Sequence, residues 1–350
     1  MAGPSSLSAD SLIQLMRHGV ETIADHRAAN ASLSLADVLM AALAMFALKD
    51  SSLLEFDERR SRDANLKHIY GLETVPCDTQ MRTVLDPVAP AEIKPLFKDV
   101  FAQLERHGGL VGLKYLGHYL LSLDGTGYFS SKKIHCAACL AKKNHTTGEI
   151  TYSHHLVGGA IVHPDSPVVI PLAPEPIIKQ DGATKNDCER NAAKRFLAQV
   201  RQDHPDVPFI IVEDALSSNA PHIRELQKHH LRFILGVKEG DHPFLFDQVR
   251  TAHDAGATTA YEYCAGGITQ RFRFVNQVPL NESNQDILVN FLEYWEIAGD
   301  TVQHFCWITD FILYQWNVGA IMRGGRARWK IENETFNTLK NQGYHFEHNL

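Results

Sequence analysis

Apolar positions recur every three or four residues through the first hundred residues of the chain. Leu12, Leu15 and Met16 share one helical face, and residues 92–104 form another amphipathic stretch. Residues 38–48 are an unbroken apolar run of 11, which predicts a buried helix. Residues 81–86 predict a short helix carrying Arg82, with Asp78 or Thr79 as its N-cap. Nothing repeats at a fixed period. The texture changes near residue 117. Residues 118–131, 151–162 and 166–177 are rich in Val, Ile, Leu and aromatic residues, with a turn at His163-Pro164-Asp165-Ser166, and predict three strands. Residues 187–200 predict a helix with Ala192, Ala193, Phe196, Leu197 and Val200 on one stripe. A buried strand (208–214), a helix with proline near its start (220–230) and a further strand (232–238) follow.

The order from 117 to 238 is therefore β-β-β-α-β-α-β, which resembles that of a ribonuclease-H-like fold. Four more aromatic-rich segments within 240–318 predict a mostly antiparallel, β-rich insertion, and residues 324–342 return to helix with Gly343 as its stop. The expected architecture is α/β: a helical N-terminal region (1–110), a ribonuclease-H-like core of mixed sheet and helices (111–239), the β-rich insertion (240–318) and a closing helix (319–350).

Composition narrows the class. The chain has 350 residues, 44% apolar and 21% charged, enough apolar content for a core and too little charge for wholesale disorder. The net charge of −7 excludes a uniformly basic nucleic-acid coat protein. Six cysteines make no disulfide framework, which points to a reducing cytoplasmic setting. The start has no signal-peptide pattern, and the 11-residue run is far short of the roughly 20 residues of a membrane helix.

Carboxylates carry the chemistry. Hard divalent ions such as Mg²⁺ or Mn²⁺ take oxygen ligands, and phosphoryl transfer with two ions needs clustered acids. In the expected sheet the first and fourth strands are neighbours. Asp124 lies on the first, Asp214 ends the fourth, and Glu332 sits on the closing helix. Each has a plain reading of its own: a turn residue before glycine, a helix cap, a solvated helix carboxylate. Their joint placement favours a metal site. Glu213 competes with Asp214, but adjacent strand residues face opposite ways. Arg328 and Glu332 are at i and i+4 on one helical face, Trp329, Phe336 and Leu339 supply its packing stripe, and Glu334 is the second choice to Glu332.

Around these residues the sequence resembles DDE transposases of bacterial insertion sequences, the IS4-like group and its relatives. The likeness is carried by residues 123–131 (LDGTGYFSS), 212–221 (VEDALSSNAP) and 326–349 (RARWKIENETFNTLKNQGYHFEHN), with residues 180–197 before the second acid. The resemblance implies Asp124, Asp214 and Glu332 as the catalytic and metal-binding triad holding two Mg²⁺ (or Mn²⁺) ions. It also implies Arg328 as the arginine of a Tyr-Arg-Glu-Lys signature, with Gly325 standing where that signature has tyrosine and Lys340 one residue beyond its lysine. The activity implied is cleavage at transposon ends followed by strand transfer. The partners implied are double-stranded DNA, as terminal inverted repeats and target, and a second copy of the chain; the location implied is a bacterial, nucleoid-associated one. In related enzymes the insertion stacks on a flipped base, and Trp295 is a candidate here, its alternative being a core side chain. The chain stops just past the glutamate helix where relatives continue, so a truncated or inactive DNA-binding derivative is one alternative. A ribonuclease-H-like nuclease without strand transfer is another, and no HExxH spacing supports a metallohydrolase.

Two features lie outside the triad. Cys136 and Cys139, with His145 or His135 and with His154 or His155, offer a set of zinc ligands in the first hairpin. Lys132, Lys133, Lys142 and Lys143 make residues 129–146 locally +4, suited to a DNA backbone. Residues 1–100 carry ten Lys plus Arg against fourteen Asp plus Glu. A DNA-reading helix there, the one carrying Arg82, competes with a helical cap or dimerisation region.

Overall fold

Six helices come first: α1 (Ala9–Glu21), α2 (Leu35–Ala47), α3 (Leu53–Arg60), α4 (Asn65–Tyr70), α5 (Asp78–Leu85) and α6 (Pro90–Arg106). They belong to a computed structural model that describes residues 6–179 and 188–347. Ser8, Ser34 and Ser52 cap α1, α2 and α3 by accepting from backbone N–H groups one turn on. The N-cap of α5 is Cys77, not Asp78 or Thr79, and Gln80 reaches back to the Cys77 N–H at 3.0 Å. Arg82 is exposed. The apolar run forms α2, whose Val38, Met40, Ala41 and Ala44 are fully buried at the centre of a helical core. Helix α6 joins this core to the rest: Leu96 packs among the helices and Phe101 against the sheet. Its Lys94 meets the buried Glu175, which Arg195 also holds at 2.7 Å.

The second part is a mixed α/β body. Its elements are β1 (Lys114–Tyr115), β2 (His118–Ser131), β3 (Leu140–Lys143), β4 (Ile150–His163), β5 (Ser166–Pro171), β6 (Glu175–Ile177), α7 (Glu189–Asp203), β7 (Phe209–Glu213), α8 (Ala220–Lys228), β8 (Arg232–Gly236), α9 (Pro243–Asp254), β9 (Thr259–Ala265), β10 (Ile268–Asn281), β11 (Asn284–Ala298), β12 (Thr301–Thr309), α10 (Val318–Arg326) and α11 (Asn337–Asn341). The expected start of α7 at Asp187 lies outside the described residues. One sheet runs β3-β4-β2-β7-β8-β12-β11-β10-β9, parallel across β2-β7-β8 and antiparallel elsewhere along that path. The segment read as a separate insertion opens with α9, which the aromatic alternation after it hid. Its strands extend the same sheet, because β12 pairs with β8 through Ile308↔Leu235.

Period-two alternation sorts the faces. Leu121, Ile211 and Phe233 point to the side covered by α7, α8 and α9, where they share a core with Phe196, Leu197, Ile223, Leu226 and Leu245. Leu120, Ile210 and Ile234 point to the other side, under Ile321 and Met322 of α10. Gly325 lies beneath Trp307, leaving no room for a Cβ, so a tyrosine is sterically barred at this position.

Candidate metal and nucleic-acid site

Strand β2 delivers Asp124 to the end of a buried run, Tyr119 to Leu123. Its parallel register with β7 runs from Tyr119↔Phe209 to Ser122↔Val212, so Asp124 and Asp214 both follow two residues later at the same end of the sheet. On its other side Asp124 pairs with Gly158 of β4. A Cβ at Gly158 would lie 2.9 Å from the Phe336 ring, so glycine here lets the closing helix lie directly on the strands. Ser122 Oγ donates to the Arg328 carbonyl at 3.0 Å and fixes the helix from below.

This closing segment is not one regular helix. After α10 come a 3₁₀ turn (Ala327–Trp329), a π-helical stretch (Ile331–Phe336) and α11. Ile331 and Phe336 are buried, whereas Trp329, expected in the packing stripe, is 44% exposed. The 3₁₀ turn overwinds and the π stretch underwinds, so positions reckoned at 100° per residue drift off phase.

The segment brings Glu332 to Asp124. Arg328 Nη1 lies 2.9 Å from Glu332 Oε1 and 3.5 Å from Asp124 Oδ2. Burial, then the hydrogen bond with Glu332 and its negative charge, push the Asp124 carboxyl up to about 7, against the pull of Arg328. Glu332 moves the other way: burial opposes its charge, but hydrogen bonds from Arg328 and Asp124 outweigh that and hold it below its ordinary value. Glu334 has no part in this pair. Asp214 is exposed and accepts from the Leu216 N–H at 2.9 Å, capping a short 3₁₀ turn. It shares a cleft wall with Arg328, Trp329 and Lys238. Glu213 faces inward, hydrogen-bonded to His222 Nε2 at 2.6 Å and to Ser217 Oγ at 3.0 Å, and is thereby withdrawn from the site. Asp124 and Glu332 are thus together, while Asp214 stands one strand over and is engaged in its cap. Among the described residues, the side-chain groups whose ligand atoms lie within 4.8 Å of one another do not include the three acids.

A fourth acid escaped the sequence reading. Glu189, first residue of α7, packs its carboxylate against Gly125, where no Cβ would fit. Burial raises its pKa, and Asp214 and Glu213 add to the rise. The signal was present as an acid at a helix start opposite the glycine of LDGTG, but only the fold sets the two side by side. Asp124, Glu332, Glu189 and Asp214 offer only oxygen donors, the type that a hard divalent cation takes.

The basic residues divide. Lys340 pairs with Glu347 at 2.7 Å and lines a groove with Lys142, Tyr128, Ser130 and His155. Lys132 is exposed but pairs with Glu149 at 2.8 Å, an acid just beyond the basic stretch, while Lys133 and Lys143 are exposed on the same finger. His145 is exposed in the turn that Asn144 organises between β3 and β4 and is not beside the cysteines. The imidazole that meets Cys136 and Cys139 is His154. Of the imidazoles that the sequence offers, His154 lies beside the cysteines and His145 does not, because residues 144–149 form the far end of the finger whereas β4 runs back past the cysteine turn. Trp295 is half-buried, with one face stacked on His304 at 5.0 Å.

Neither a family model nor a curated protein matches the chain. Among solved structures, the NurA nuclease from Sulfolobus solfataricus aligns over 66% of this chain and 85% of that one, at 10% identity and a TM-score of 0.26. A likeness that loose transfers neither topology nor activity. No helix among the described residues is long and apolar enough to cross a membrane.

Proposed function

We propose that the chain is a DDE-type DNA transposase with a ribonuclease-H-like core, cleaving DNA at transposon ends and joining the freed ends to target DNA as a homodimer. The observation that carries this reading is the pairing of Asp124 with Glu332 beside the parallel β2–β7 register that sets Asp214 at the same sheet end. The sheet order β4-β2-β7-β8, with only β2-β7-β8 parallel, supports the same core.

Asp124, Asp214 and Glu332 would hold divalent ions, which supply charge stabilisation for in-line displacement at phosphorus. The protein's own residues position and neutralise. Arg328 now balances Asp124 and Glu332 through Nη1 alone, and its guanidinium fork suits a phosphate. Lys142 and Lys340 border a groove along β2 and β4, where a backbone can lie. His222 and Ser217 lock Glu213 inward, which leaves Asp214 as the outward acid of the pair.

The test is Mg²⁺-dependent cleavage of the DNA repeats that flank the gene. Wild type is expected to nick and join them, and Asp124→Asn to lose at least a hundredfold in rate with binding retained. Unimpaired cleavage by Asp124→Asn would overturn the triad. Cleavage without joining would replace the reading with a nuclease, and DNA binding without cleavage by wild type would replace it with an inactive derivative.

A further inference from the structure

The finger between β2 and β4 contains a second cluster that the cleavage chemistry does not use. Cys136 Sγ and Cys139 Sγ are 3.7 Å apart, and His154 Nε2 lies 3.3 Å from the first and 3.2 Å from the second. A zinc ion bound at about 2.3 Å to sulfur and about 2.0 Å to nitrogen sets tetrahedral edges of about 3.8 Å between sulfurs and about 3.5 Å between sulfur and nitrogen. The three observed edges fall within a few tenths of an ångström of those values. The Cys136 N–H donates to Cys139 Sγ at 3.3 Å, which closes the turn that sets the two sulfurs side by side. The His154 ring is held by the flanking aromatics Tyr128 and Phe129, at 5.8 and 5.6 Å.

The surroundings make a metal useful. From Lys132 to Ala138 the loop is exposed throughout, Ile134 included, and Cys139 is its one buried side chain. A loop without a core of its own must be ordered by something other than apolar burial. Among the described residues, the other group of side chains close enough to share an ion, Glu293, His304 and Cys306, is less suited, because Arg273 already neutralises Glu293.

We infer that Cys136, Cys139 and His154 bind one zinc ion, whose fourth position is open to water on the exposed side of Cys136. The ion ties the loop to β4 and so fixes the finger that presents Lys132, Lys133, Lys142 and Lys143. This site stands independently of the DNA-cleavage reading.

Elemental analysis of the purified full-length chain is expected to find about one zinc per molecule. Cys139→Ser and His154→Ala should each lower that at least tenfold, while His145→Ala leaves it unchanged and His154→Cys, still a zinc ligand, retains it. Should the depleted variants misfold, Co²⁺ added to metal-stripped wild type decides: thiolate charge-transfer and tetrahedral ligand-field bands are expected. Wild type without zinc and without those bands, a disulfide between Cys136 and Cys139 in the native protein, or zinc lost with His145→Ala but kept with His154→Ala would each overturn the assignment.

Discussion

His222 and Glu213 are 8% and 6% exposed at their side chains and 2.6 Å apart, next to the outward Asp214. Burial works against a charge on His222, but the carboxylate and hydrogen bond of Glu213 outweigh it and raise the imidazole above its ordinary 6.5. A proton held more tightly in the folded state stabilises the fold fully below the unfolded pKa, and that contribution fades as pH rises through the folded value. The gap in urea midpoint between wild type and His222→Gln should therefore be widest near about pH 6 and narrow steadily above about pH 7. A constant gap across that range would mean that the fold leaves the proton affinity of His222 unchanged, and a gap that widens with rising pH would mean that His222 stays neutral in the fold. Neither Glu213 nor His222 was legible as a pair from spacing nine residues apart, since a strand end and a helix start intervene.

At the scale of elements, the two glycines in the middle of β4 let the sheet be covered closely on both faces. Gly158 faces Phe336 of the closing segment, and Gly159 faces Phe196 of α7. In a strand the cost of glycine is a lost side chain; here the aromatic rings occupy that space. Gly159→Val should destabilise the protein by about 1–3 kcal/mol through overpacking against the buried Phe196, read as a lower urea midpoint at unchanged slope. The same close packing explains why the closing helix departs from ideal form. Arg328, Ile331 and Phe336 must meet β2 and β4 at fixed points, and the 3₁₀ and π turns adjust the phase between them. Helical period alone found the Arg328–Glu332 contact, which spans one turn, and misplaced Trp329, whose direction depends on how the helix is wound.

Over the whole molecule, charge is unevenly spread. The net of −7 combines −4 in residues 1–100, −5 in residues 101–320 and +2 in residues 321–350, and the acids at the sheet end are the ones a cation would neutralise. DNA is thus expected to be gripped locally, through the groove shared by Lys142 and Lys340. Affinity for duplex DNA should fall with salt. The double variant Lys142→Ala/Lys340→Ala should reduce the slope of log affinity against log salt by about 2, whatever the DNA sequence. An unchanged slope would place the backbone elsewhere. The sheet also explains why the apparent insertion reads as a separate unit in sequence while being continuous in space: hydrogen bonding from β8 to β12 spans about seventy residues that local patterning cannot connect.

By itself the sequence determined the helical character of the start, strands β2, β4, β7 and β8 with helices α7 and α8, the four later strands, and the place of Asp214 just past a strand end; the short β1 and β3, the division of residues 166–177 into β5 and β6, and α9 escaped it. Those it determined follow from local period, propensity and turn chemistry. Tertiary structure decided the rest. It set Glu332 against Asp124, drew Glu189 to Gly125, turned Glu213 away from Asp214, set His154 and not His145 beside the cysteines, and joined the later strands to the one sheet. Each of these depends on strand register, on helix winding or on the return path of a hairpin. Those are distances between residues far apart in the chain, fixed only when burial and hydrogen bonding are satisfied together.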